Sequence, residues 1–101
     1  MATPEEIARI IKKHCPDAIV LLFGSRARGD HLATSDIDLI VVSKAFRGVG
    51  FLERPVQLLK LLYREGVEAP LDILCYTPEE FERKRREIGV VREALRTGVV
   101  L

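Results

Sequence analysis

The chain has no tryptophan and no asparagine, one glutamine, one methionine and two cysteines. Two cysteines are too few for a disulfide scaffold. Cys15 and Cys75 each sit beside apolar sequence and read as buried free thiols in a reducing cytoplasm. His14 and His31 are the only histidines, so no His/Cys cluster offers a site for a soft metal. Long apolar runs are missing as well. The longest, Ala18 to Gly24, is far below the ~20 residues that a bilayer crossing needs. The start, Met1-Ala2-Thr3-Pro4-Glu5-Glu6, is acidic where a signal peptide would be basic. No charge dominates: 16 Lys+Arg against 15 Asp+Glu give +1, so bulk charge argues for neither nucleic acid nor anionic lipid. Gly-Lys-Ser/Thr is absent, which excludes a P-loop. Scarce Asn, Gln and Met beside abundant Glu and Arg is a composition shared with thermophile proteins.

What is present fits one domain over residues 1–101. Of these residues 48% are hydrophobic and 31% charged, which excludes a disordered tail and a membrane protein. A chain this short buries only roughly 60–65% of its unfolded surface. Some apolar surface therefore stays outside and wants a partner. The tetrapeptide Thr-Pro-Glu-Glu occurs at Thr3–Glu6 and at Thr77–Glu80. Both copies read as helix starts, with Thr as N-cap, Pro in the first turn and Glu closing a capping box. The first helix carries Ile7, Ile10 and Ile11 on one face and stops before Pro16. Ala18–Phe23 is apolar on both faces, as a central strand would be, and ends in Gly24-Ser25.

A second strand spans Ile37 to Val42. Residues 44–52 read as a loop pinned by Phe46 and Phe51, followed by a helix from about Arg54 to Glu65 and a third strand, Leu71 to Tyr76. Gly89 breaks the C-terminal helical stretch, Gly98 stops it, and Val99-Val100-Leu101 trails off extended. The segment between strands two and three has the length of a parallel crossover, while strands one and two are close enough to pair antiparallel. The expected fold is α/β (α+β): a small mixed three-stranded sheet flanked by helices, not a doubly wound Rossmann fold.

One set of residues has no structural explanation. Asp36 and Asp38 open the second strand on one face, and Asp72 sits one residue into the third. If those strands are parallel neighbours, the three carboxylates gather at one sheet edge, where an antiparallel first strand would also deliver Gly24-Ser25. Two like charges ~4 Å apart repel by roughly 4 kcal/mol at an effective dielectric near 20. A divalent cation with oxygen preference offsets this, and Mg²⁺ favours a few carboxylates plus substrate phosphate. Gly24 lets backbone approach a ligand closely, and Ser25 caps an expected short helix whose first N–H groups would face an anion. Phosphate turn plus carboxylates points to a nucleoside triphosphate site.

Gly24-Ser25, ten intervening residues and then Asp36-Ile37-Asp38 resemble the G-S-x10-D-x-D signature of the DNA polymerase-β-like nucleotidyltransferase superfamily. Asp72 resembles its third carboxylate. Gly24-Ser25-Arg26-Ala27-Arg28-Gly29-Asp30 and Ser35-Asp36-Ile37-Asp38-Leu39 are especially similar to the minimal nucleotidyltransferases, chains of about this length. The resemblance implies the polymerase-β palm-like fold and transfer of a nucleoside monophosphate, AMP from ATP, to a hydroxyl. It implies that Asp36, Asp38 and Asp72 ligate two Mg²⁺ ions and that Asp72 helps activate the hydroxyl. Gly24 and Ser25 would bind the β/γ-phosphates, with Arg28 assisting in preference to Arg26. It also implies a partner, because minimal nucleotidyltransferases pair with helical HEPN-domain toxins as antitoxins that modify a toxin tyrosine or mask it. Two alternatives stand beside this reading: a module that neutralises its partner by contact alone, and a catalytic core acting on a small molecule or RNA end. Self-association, base preference and acceptor stay open.

Blander roles compete for single residues. A lone Asp-x-Asp more often caps a loop, and Arg28 serves equally as a surface ion-pair partner of Asp30 or another carboxylate. Ser35 reads as a turn residue. Arg83-Lys84-Arg85-Arg86, surrounded by glutamates, reads as a solvated helix surface. Phe81, Ile88, Val91 and Leu95 follow a helical stripe whose missing position falls at Lys84 or Arg85, where a basic chain could snorkel or reach a partner or nucleotide.

Overall fold

The computed structural model describes residues 3–24 and 36–101. Thr3 caps α1 (Pro4–His14), its hydroxyl accepting the Glu6 N–H at 3.2 Å. Glu5 and Glu6 lie at the positive end of the helix and Lys12, Lys13 and His14 at the negative end. Its buried face is Ile7, Ala8 and Ile11. β1 (Ile19–Phe23) then pairs antiparallel with β2 (Ile37–Val42), and β2 pairs parallel with β3 (Leu71–Tyr76). α2 (Glu53–Arg64) connects β2 to β3; α3 (Pro78–Lys84), α4 (Val90–Thr97) and β4 (Val99–Val100) complete the chain.

The sheet has four strands in the order β3-β2-β1-β4, not the three expected. The extra strand is the C-terminal tail, and Gly98 is the reason it can pair. A Cβ on Gly98 would lie 2.7 Å from the Leu22 carbonyl oxygen and strike that of Ala94 as well. Only glycine brings the chain so close to β1. Val99 and Val100 then pair with Leu22 and Leu21, the Leu101 N–H donates to Val20 O at 2.8 Å, and Lys12 Nζ donates to Leu101 O at 2.5 Å.

Side chains alternate along each strand, so the sheet has two different faces. α1 and α2 cover the first, packing Ile7, Ile11, Leu58 and Leu62 on Val20, Leu39, Val41 and Ile73. Each such aliphatic side chain contributes roughly 1.5–3 kcal/mol on burial. The second face is more thinly covered: Val91 and Ala94 of α4 pack on Leu21, Ile40, Val42 and Tyr76. Asp38 and Asp72, one pleat before Ile40 and Leu74, belong to this second face.

Cys75 is buried as expected, and burial pushes its thiol up to about 12. Cys15 is only half-buried, and both thiols are free. In the 44–52 segment Phe46 is buried within a 3-10 turn, Lys44–Phe46. Phe51 is instead exposed and tilts against Tyr76 with ring centroids 5.5 Å apart. Buried Ser43 donates to Asp17 Oδ1 at 2.8 Å, and the Lys44 N–H donates to Oδ2 at the same distance. Those bonds, the backbone one foremost, hold the Asp17 carboxyl below its usual range.

The C-terminal stripe is not continuous. α3 ends at Lys84 and a turn carries the chain to α4, leaving Ile88 92% exposed. The basic run is solvated, as expected, with Arg86–Glu82 at 3.1 Å and Arg85–Glu82 at 3.5 Å. Apolar surface does remain outside. Leu52, at the N-cap of α2, and Val56, Leu59 and Tyr63 along it, spaced by four, three and four residues, form an exposed line. Among the described residues, no helix is long and apolar enough to cross a membrane.

Candidate functional site

The centre of the site is Asp38. Across the antiparallel pair it is in register with Phe23, the last residue of β1; across the parallel pair it is in register with Asp72. Neighbouring strands lie about 4.7–4.9 Å apart, so Asp38 and Asp72 stand side by side on one face. Asp36 is exposed at the entry to β2, Asp38 is half-buried and Asp72 is exposed. Burial, then the charge of Asp72, then that of Asp36 raise the Asp38 carboxyl above its ordinary value. Among the described residues no cation pairs with any of the three.

Gly24 closes the other side. It leaves β1 with φ +77°, and a Cβ built there would lie 2.5 Å from Asp38 Oδ2 and 3.4 Å from Cγ. Glycine is thus required twice, for the left-handed backbone and for the close approach to the carboxylate. The turn at the end of β1 and the carboxylate of β2 form one surface. Ser25, Arg26 and Arg28 lie outside the described residues, as do Ser35 and His31. His14 stands elsewhere, at the end of α1, with Nε2 3.6 Å from Glu65 Oε1.

Among the described residues, no three His, Cys, Asp or Glu side chains converge tightly enough to cage a metal. The donor chemistry nevertheless suits Mg²⁺, which keeps several waters and takes one or two carboxylates together with substrate phosphate. Two neighbouring carboxylates with no offsetting cation among the described residues, beside a turn that admits a ligand, are such a donor set.

Two features escape a reading of the sequence. The first is Arg54, 6% exposed. It donates to Glu80 Oε1 at 2.5 Å, to Glu80 Oε2 at 3.2 Å, to Val49 O at 2.9 Å and to Cys75 O at 3.2 Å. Glu80 also completes the Thr77 capping box, accepting the Thr77 N–H at 2.8 Å. The Arg54 guanidinium, foremost, holds the Glu80 carboxyl down to about 2. Thr77-Pro-Glu-Glu announced the cap but not its long-range partner. The second feature is a cavity of about 500 Å³ on the second sheet face, lined by Phe51, Leu74, Tyr76, Arg83, Lys84 and Val90. Its only sequence signal was the basic residue interrupting the apolar stripe.

Residues 4–96 match the family model described as a nucleotidyltransferase domain. The chain belongs to the nucleotidyltransferase-domain family. Solved structures of that description are similar to it. A Sulfolobus solfataricus protein assigned as a nucleotidyltransferase is 27% identical, with a TM-score of 0.63, over 95% of this chain and 73% of that one. A second protein so assigned is 29% identical, with a TM-score of 0.54, over 81% of this chain and 86% of that one. A toxin-antitoxin structure with AMP-PNP has a TM-score of 0.59 over 98% of this chain and 72% of that one. At 19% identity, that last likeness is one of fold alone. No curated protein matches the chain.

Proposed function

We propose that this nucleotidyltransferase-domain chain, a single domain over residues 1–101, transfers AMP from ATP to a hydroxyl with Mg²⁺. The acceptor is a tyrosine of a HEPN-type toxin partner, towards which the chain acts as antitoxin in the cytoplasm. The observation that carries the catalytic reading is the juxtaposition of Gly24, Asp38 and Asp72 in adjacent strands. Asp36, Asp38 and Asp72 would hold Mg²⁺. When bound, Mg²⁺ supplies the positive charge that quenches the repulsion among the carboxylates and the charge developing on the phosphates.

The chain's own residues do the rest. Gly24, with Ser25 and Arg28, holds the β- and γ-phosphates on the β1 side. Asp38, at the centre, would hold the Mg²⁺ that offsets its own charge and that of the α-phosphate. Asp72 accepts the proton of the attacking hydroxyl. The new bond joins that oxygen to the α-phosphorus, the bond to the β-phosphate breaks, and pyrophosphate leaves. Most of the acceleration is positioning and charge neutralisation.

The exposed line Leu52, Val56, Leu59 and Tyr63 supports a partner protein. It also favours the second reading, neutralisation of that partner by contact alone. Thermal melting separates the two. A ligand at a hundred times its Kd adds ~2.7 kcal/mol. ATP with Mg²⁺ therefore raises the Tm of the wild type, and Asp38→Asn removes both that rise and label transfer from α-labelled ATP. An unmoved wild-type Tm overturns the catalytic reading and leaves the contact reading.

A further inference from the structure

An in-line displacement sets the attacking oxygen opposite the leaving one. If pyrophosphate departs along the β1 flank, where Gly24 lies, the acceptor hydroxyl must arrive from the β3 flank, past Asp72. On that flank and that face the next residues along β3 are Leu74 and Tyr76, and both line the cavity of about 500 Å³. Leu74 is two residues from Asp72, about 7 Å along the strand. The cavity has the size and the mainly apolar lining of a ligand site.

Its lining states a preference. Val90 is 45% and Phe51 43% exposed, and Phe51 tilts against Tyr76, so the walls are apolar and aromatic. Glu80 also borders the cavity, but its charge is committed to Arg54. Lys84 Nζ stands 3.6 Å from Glu87, while the Arg83 guanidinium has no partner among the described residues. The lining therefore combines surplus positive charge with aromatic and apolar surface.

We propose that this cavity is the acceptor subsite and receives an aromatic hydroxyl borne on a protein segment with acidic neighbours. The proposal rests on the transfer reading above and adds where the acceptor sits and what flanks it. The phenolic oxygen reaches past Leu74 to Asp72 and gives up its proton there. It bonds to the α-phosphorus as pyrophosphate leaves, while Arg83 pairs with an adjacent acidic side chain. Arg83 positions the acceptor and takes no part in the bond change.

The test is a ¹H–¹⁵N NMR titration of the intact chain, without nucleotide or metal, using acetyl-Glu-Tyr-Glu-amide and acetyl-Lys-Tyr-Lys-amide. The acidic peptide shifts the amides of Leu74, Tyr76, Arg83 and Val90 and binds about tenfold more tightly than the basic one, a difference of ~1.4 kcal/mol. Arg83→Glu, an exposed substitution, reverses that order. Asp38→Asn keeps peptide binding while losing labelling, so a failure of the transfer reading is told apart from a failure of the subsite. The proposal is overturned if the shifts fall elsewhere or if Arg83→Glu leaves the order unchanged.

Discussion

Replacing Asp38 by asparagine should make the metal-free protein more stable while removing its activity. Asp38 is in register with Asp72, half-buried, and without an offsetting cation among the described residues. With side-chain charges about 5 Å apart, repulsion is ~0.8 kcal/mol in water and ~3 kcal/mol at an effective dielectric of 20. Asp72 is exposed, so the lower part of that range applies, about 1 kcal/mol. Asparagine keeps the shape and removes the charge. In a domain of this size about 1 kcal/mol moves Tm by roughly 4–8 °C. The assay is thermal and urea unfolding of both proteins in chelator at low salt, repeated at high salt, where screening shrinks the gap. With Mg²⁺ added, the wild type gains stability and the variant does not. A variant no more stable than the wild type in chelator would refute the reasoning, since Asp38 would then be an ordinary structural carboxylate.

Other consequences follow from single contacts. Gly24→Ala forces a side chain into a φ of +77° and against Asp38 Oδ2. It should cost about 1–3 kcal/mol in urea unfolding and abolish AMP transfer in a label assay. Glu80 is depressed from 4.5 to about 2 in the folded chain. The stability it confers is complete above its unfolded value and disappears as pH falls from about 4.5 to about 2, up to ~3 kcal/mol. Glu80→Gln should flatten that acid limb in a series of melts and lower stability at neutral pH, because Arg54 is left buried and unpaired. Gly98→Ala should detach the C-terminal strand, seen as faster hydrogen exchange at the Leu101 amide, because its Cβ meets the Ala94 and Leu22 carbonyls.

Much of the site was legible because its chemistry is costly without a ligand. Asp-x-Asp at a strand entrance, with a third Asp at the start of a later strand, makes sense only if the two strands are neighbours. The register Asp38–Asp72 shows that they are. Gly24 could be read as an element of close approach, but its target, Asp38 Oδ2, is a matter of strand pairing that no local pattern encodes. The fourth strand stayed hidden for the same reason. Val99-Val100 looks like a frayed tail until Gly98 is seen to lie against the carbonyl of Leu22. The helical stripe from Phe81 to Leu95 misled in the opposite way. Period alone joined two helices that the turn after Lys84 separates. Arg54 gave no warning, because a buried arginine is defined by the Glu80, Cys75 and Val49 oxygens around it.

The most direct test of the central claim, that Gly24, Asp38 and Asp72 form a nucleotidyl-transfer centre, follows the label of ATP marked at the α- or the γ-phosphate. The reaction contains Mg²⁺ and the co-expressed partner protein. The account predicts that α-label becomes attached to the acceptor, γ-label leaves as pyrophosphate, and Asp72→Asn stops both. Transfer of γ-label to the acceptor, or α-label transfer that persists in Asp72→Asn, would contradict it.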